Sequence, residues 1–206
     1  AASTTEINEH TQSFWSHKPI AKPEPPKVEG ASHAIDAFVW DRLAQEGLPN
    51  NPPASREVLV RRAYYNLLGL PPTPEQVSAF VNDISPDAWT KLIDSLLEST
   101  HYGEHWARHW LDIVRYAESN GFERDSTKNF IWRYRDYVID AFNQDIPYDQ
   151  FIREQLAGDE IEKVTPASLI ATGYHRLMQW DDEPADRPQH VYDVLDDIVR
   201  VTTEGF

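Results

Sequence analysis

Residues 101–121 read HYGEHWARHWLDIVRYAESNG. At about 100° per residue this stretch leaves almost no helix face uncommitted. His105, His109, Asp112 and Tyr116 fall on one stripe, and Trp106, Trp110, Ile113 and Ala117 form the apolar stripe beside it. Arg108 and Arg115 sit on the other flank. A surface helix ordinarily carries Lys and Glu there. Side chains that need partners imply either a buried polar network or the wall of a site, and the pattern leaves both open. Asn120-Gly121 is the expected break.

Helix signals continue on both sides. Ser32 is placed to cap a helix with Ile35, Phe38, Val39 and Leu43 on one face, stopped by Gly47. Ser55 opens another, carrying Leu59, Ala63 and Leu67 to Gly69. Thr73-Pro74-Glu75-Gln76 is a capping box, and Ser85-Pro86 repeats the Ser/Thr-Pro start ahead of Trp89, Leu92, Ile93, Leu96 and Leu97. Beyond the break, Ile131, Tyr134, Val138 and Phe142 recur at helical spacing. Pro147 opens a short helix closed by Gly158, and Thr165-Pro166 starts the next. An acidic last helix begins near Pro188, with Val191, Val194, Leu195 and Ile198 expected inward. No alternating strand pattern appears. The expected fold is all-α, a single compact domain of about eight helices over residues 32–206 with short connections. Residues 1–31 read as an extended arm docking on that body, because Pro19, Pro23, Pro25 and Pro26 favour polyproline geometry and Phe14-Trp15 supply an apolar anchor.

Of the 206 residues, 40% are apolar and 12% aromatic, enough for a sizeable core, and the formal net charge is −15. That charge disfavours nucleic acid and anionic membranes as partners. It favours cationic partners or bound cations. The absence of Cys excludes disulfides, thiolate metal sites and a Cys nucleophile within this chain. No apolar run reaches the length of a membrane span. Phosphate-cradling Gly loops and the GxSxG elbow are absent.

Four constellations carry chemistry. His105 and His109 are spaced to share a metal, with Asp112 as an oxygen ligand, or to pair with Arg108, Arg115 and a tyrosine of a neighbouring helix. In the run 132–137, WRYRDY, alternating aromatic and guanidinium groups suit an anion or a planar ligand, or else Arg133 and Arg135 pair with carboxylates such as Asp136. Glu118, Asn120, Glu123 and Asp125 surround a Gly turn with oxygens, as calcium prefers, without the helix–loop–helix calcium spacing. The run 180–186, WDDEPAD, with Asp193, Asp196 and Asp197, is a concentrated negative patch suited to a positively charged protein partner.

At these residues the chain resembles the planctomycete cytochrome c-associated domain, a domain of unknown function in large secreted or envelope proteins. The matching segments are IDAFV at 35–39, RRAYYNLLGLPPTPEQV at 61–77, HYGEHWARHWLDIVRYAES at 101–119, the run 132–159, and WDDEPAD. They extend over about residues 14–206. In relatives this region runs into a Cys-x-x-Cys-His segment, which implies covalent c-type haem attachment or a metal site outside this chain. His105 stands where relatives tend to carry Arg, whereas His109, Asp112, Arg115 and Tyr116 fit the pattern. These four, with Arg133, Arg135 and Asp136, are the expected polar site or network.

The resemblance implies a helical accessory domain for a c-type cytochrome module in the same longer protein, supporting haem burial, electron transfer and partner docking in the periplasm or outside the cell. Candidate axial ligands are His109, His175, His190 and Met178. Two alternatives stay open. One is a secreted hydrolase or binding domain for polysaccharide or sulfated glycan, using aromatic and Arg surfaces and carboxylate pairs such as Asp181 with Asp182. The other is a purely structural or interaction domain.

Overall fold

Ser55 ends an extended segment, and its hydroxyl accepts from the Val58 amide at 3.4 Å, which starts helix α2 (Arg56–Leu68). Gly69 ends it at φ 69, a conformation that favours glycine. A Cβ on Gly69 would also lie 2.3 Å from Nδ1 of His105, so this turn and the His105 ring fit only without a side chain. The computed structural model describes residues 13–15, 18–122 and 124–206. Its contacts divide the chain into two units, Ala1–Pro53 and Ala54–Phe206.

In the first unit, residues 18–33 contain no helix or strand, as their prolines dictate. Helix α1 (Ala34–Gln45) follows and belongs to this unit. Its cap is His33 rather than Ser32, with the Ile35 amide donating to Nδ1 at 3.2 Å. The expected inner face is turned out: Ile35, Phe38 and Val39 are exposed and Ala37 is the buried residue. Ala37 shares a groove with Pro25, Pro26 and Val28, so the helix turns its smallest apolar side chain toward the arm.

The second unit is built on helices throughout, with no strand among its described residues. Thr73 makes the reciprocal capping box that starts α3 (Pro74–Asn82). Helix α4 (Ala88–Leu97) begins at Asp87, not at Ser85-Pro86, and lacks a side-chain cap. These helices close a first core of Val60, Ala63, Tyr64, Leu68, Phe80, Ala88 and Leu96.

Helix α5 (Thr100–Ile113) is the expected His/Trp helix, but it stops well before Asn120-Gly121. Arg115 adopts φ 57. The Arg115 amide donates to the Asp112 carbonyl at 3.2 Å and the Tyr116 amide to the Leu111 carbonyl at 2.9 Å, a Schellman stop with arginine where glycine is usual. Tyr116 therefore leaves the stripe of His105, His109 and Asp112. The buried stripe is Gly103, Ala107, Trp110 and Val114. Helix α6 (Trp132–Asn143) packs along it, forming the most extensive helix pair. A Cβ on Gly103 would stand 2.5 Å from the Ile139 carbonyl oxygen, so Gly103 sets how closely the two backbones approach.

Helices α7 (Tyr148–Ala157) and α8 (Pro166–Ala171), then a 3-10 turn (Thr172–Arg176), cover the other side of this second core. Trp110 is its centre, with ring centroids of Phe151 and Phe206 at 5.1 and 5.0 Å. The last helix, α9 (Arg187–Gly205), is capped by Asp186 and packs through Val201. Val191 and Leu195, expected inward, are exposed, and the inner side runs through Val194, Ile198 and Val201. No helix of the described residues is long and apolar enough to cross a membrane.

Candidate functional site

The polar residues of α5 separate by burial. His109 and Asp112 are exposed, and their side chains make no hydrogen bond or ion pair among the described residues. His109 lies against the rings of His105 and Trp106, with centroids at 5.4 and 5.3 Å. Burial lowers the pKa of His105, followed in effect by the His109 and Arg108 charges. No group of three or more His, Asp or Glu placed to hold a metal occurs among the described residues.

Tyr116, Arg135 and Asp136 do come together. The Tyr116 hydroxyl donates to Glu118 at 2.9 Å, and Arg135 donates to the same Glu118 oxygen at 2.9 Å. Arg135 also grips Asp136 through two nitrogens at 3.1 and 3.0 Å. Burial first, and then the bond to Glu118, push the Tyr116 phenol up to about 12. Arg133 stands apart from this chain, 5.3 and 5.5 Å from the Phe130 and Trp132 ring centroids.

The oxygen-rich turn is internally bonded. Asp125 accepts from the Gly121 amide at 2.7 Å, and Asn120 donates to Ser126 at 2.7 Å. Bonds from Ser119 and Gly121 lower the Asp125 pKa. Glu118 is occupied by Tyr116 and Arg135, and Glu123 lies outside the described residues.

The acidic segment forms one wall of a cleft of about 590 Å³ beside the first half of α9. Asp181, Asp186, Asp193 and Asp197 line it, with Arg115 and Arg200, over an apolar floor that includes Phe122, Met178 and Val194. Arg115 grips Asp197 with both nitrogens at 2.9 and 2.6 Å, and Arg200 adds a third bond at 3.0 Å. The hydrogen bond to Asp197 raises the Arg115 pKa, and the same bond lowers that of Asp197. Asp182 accepts from Ser126 at 3.1 Å, while Asp181 accepts from the Glu183 amide at 2.9 Å.

Of the four candidate axial ligands, two share this cleft. Met178 is buried and lines it, as does His190. Nε2 of His190 is buried without a hydrogen-bond partner among the described residues, and its ring meets Trp180 edge-on at 5.0 Å. His175 is committed elsewhere, its Nε2 3.1 Å from the Leu156 carbonyl.

Sequence reasoning missed the buried polar centre. Trp110 Nε1 donates to Tyr134 at 3.0 Å and to Gln155 at 3.1 Å, and the Tyr134 hydroxyl donates to Gln155 at 2.5 Å. Beside it, Tyr137 donates to Glu154 at 2.9 Å and Gln150 donates to its other oxygen at 2.8 Å. Burial pushes both phenols far up. The available signal was Gln155, one turn after Phe151, on the apolar side of a short helix. Glu154 borders a second cleft of about 540 Å³, with Trp132, Arg133, Asp136 and Asp140.

A family model described as PSCyt2, a protein of unknown function (DUF1549), matches residues 34–206, and the chain belongs to that family. No curated protein and no solved structure matches it.

Proposed function

We propose that this PSCyt2 domain is the helical accessory part of a c-type cytochrome-containing envelope protein, and that a haem-bearing module docks on the acidic cleft beside α9. The observation that supports it is the meeting of His190 and the chain's only methionine, Met178, at one cleft, with a buried imidazole nitrogen that no group among the described residues satisfies. An orphaned buried nitrogen carries a free-energy cost that a ligand bond removes. Imidazole and thioether are the axial donors of electron-transfer haem, which supplies the one-electron chemistry when bound. This chain's residues would then divide the work. His190 and Met178 offer donors, Phe122 and Val194 exclude water, and the aspartates attract a positively charged rim on the docking module.

The test is the absorption spectrum, oxidised and reduced, of the full-length gene product that carries this domain. A c-type spectrum that changes in His190→Ala or Met178→Leu is the expected result. Absence of haem absorbance overturns the reading.

A second reading rests on the cleft beside Glu154. Trp132 offers an exposed ring, and Asp136, Asp140 and Glu154 offer acceptors for hydroxyl groups. Polysaccharide binding or hydrolysis would use these groups. Retention on immobilised polysaccharide, lost in Trp132→Ala, is expected on this reading, and equal mobility of both proteins with and without polysaccharide excludes it.

A further inference from the structure

The molecule carries nearly twice as many acidic as basic side chains, 34 against 19. Its basic groups are therefore expected to find carboxylates, and Arg42, Lys91, Arg115, Arg124, Arg135, Arg153 and Arg200 do, while Arg61, Arg62, Arg108 and Arg187 are exposed to solvent without one among the described residues. Lys128 and Arg176 do not pair with a carboxylate among the described residues, and both line one cavity of about 270 Å³. The Lys128 ammonium is partly buried and spends two of its three donors on carbonyl oxygens, of Met178 at 2.9 Å and of Leu177 at 3.4 Å. The charges that act on it are both positive, Arg176 and then Arg115. Together with burial, which is the larger cause, they lower its pKa.

Arg176, the last residue of the 3-10 turn, lies 5.0 Å from the Trp180 ring centroid, and its guanidinium has no hydrogen-bond acceptor among the described residues. The remaining walls are largely apolar, from Phe130, Ile131, Met178 and Trp180, with Asn120 as the other polar side chain. Two like charges held together beside a low-dielectric wall destabilise each other unless an anion stands between them. A volume of about 270 Å³ has room for one ring bearing an oxyanion.

We propose that this cavity is a binding site for a compact organic oxyanion, a sulfate ester or a carboxylate carried on a single ring. The oxyanion bridges Lys128 and Arg176, and the ring lies against Trp180 and Phe130. Guanidinium offers two parallel donors to such a group, and the third Lys128 donor completes the contact. The cavity adjoins the acidic cleft and shares Met178 with it, but the proposal does not rest on the reading of that cleft.

The test is a nuclear magnetic resonance titration of the ¹⁵N-labelled chain with phenyl sulfate and with benzoate, at constant ionic strength maintained with sodium chloride. The expected result is saturable shifts of the Trp180 indole N–H and of the residue 128 and 176 amides. Arg176→Gln, an exposed change that leaves the fold intact, should weaken binding about tenfold or more, the loss of one charge-assisted contact, whereas Arg176→Lys should retain most of it. Tighter binding of phenyl sulfate identifies a sulfate ester as the natural group, and tighter binding of benzoate identifies a carboxylate. Shifts that follow salt without saturating, or saturable shifts unchanged in Arg176→Gln, overturn the proposal.

Discussion

Gln155 has no exposed surface, yet it is an amide in the middle of an aromatic core. Its carbonyl oxygen accepts from both Trp110 and Tyr134, and its amide nitrogen donates to the Phe151 carbonyl at 3.2 Å. Gln155→Leu keeps the volume and removes that acceptor, so the Tyr134 hydroxyl proton has no place to go. A cost of about 1–3 kcal/mol is expected for one buried unsatisfied donor. Tyr134→Phe should cost less, about 1 kcal/mol, because Trp110 still reaches Gln155. Urea denaturation of both variants checks the order, and a larger loss in Tyr134→Phe would contradict it. His109→Ala and Asp112→Ala, on the exposed side of the same helix, should each stay within about 0.5 kcal/mol of the parent. The contrast explains what was hidden at this scale. Spacing identifies a polar stripe and an apolar one, but which of them meets another helix depends on groups far along the chain, here Gln155 of α7.

Helix α5 owes its close approach to α6 to Gly103, whose amide donates to Asn143 Oδ1 at 2.8 Å while Asn143 returns a bond to the Thr100 carbonyl at 3.2 Å. Gly103→Ala must push the Ile139 backbone away and loosen that bracket. A loss of about 2–3 kcal/mol is expected in thermal or urea unfolding, despite alanine's better helix propensity. Full stability in this variant would mean that the helices slide apart without cost. Element starts were legible because a cap is decided within four residues, as at Ser55, Thr73 and Thr165. Element ends were legible only where glycine marks them. Arg115 at φ 57 and Asp145 at φ 48 occupy positions where glycine is the usual signal, so the stop of α5 was placed too late. The face of α9 was misread for a different reason. The Arg115–Asp197 pair and the Tyr174–Thr202 hydrogen bond, 3.0 Å, fix its rotation, and they leave Val191 and Leu195 outside.

Over the whole second unit, the fastening of α9 is electrostatic at its middle and apolar at its end. Arg115 holds Asp197, to which Arg200 of the same helix adds a bond, and Val201 and Phe206 reach the Trp110 core. With a formal charge of −15, such a cationic fastener acts against the repulsion of many carboxylates. The bond to Arg115 keeps the Asp197 pKa below its ordinary value. A carboxylate depressed in the folded state stabilises fully above its unfolded pKa, about 3.9, and loses that contribution as pH falls through the lower folded value. The Asp197 side chain is only 21% exposed, yet Arg115 is 41% exposed, so solvent screening limits the pair to about 1 kcal/mol. Protection against amide exchange across residues 187–205, measured relative to the intrinsic rate at each pH, should therefore fall below about pH 4 before protection in α5 and α6 does. Asp197→Asn should show the faster exchange at neutral pH and remove its acid dependence, since the neutral amide forms no ion pair with Arg115. Identical exchange of parent and variant at every pH would show that Val201 and Phe206 alone hold the helix, with the charged clamp contributing nothing to its docking.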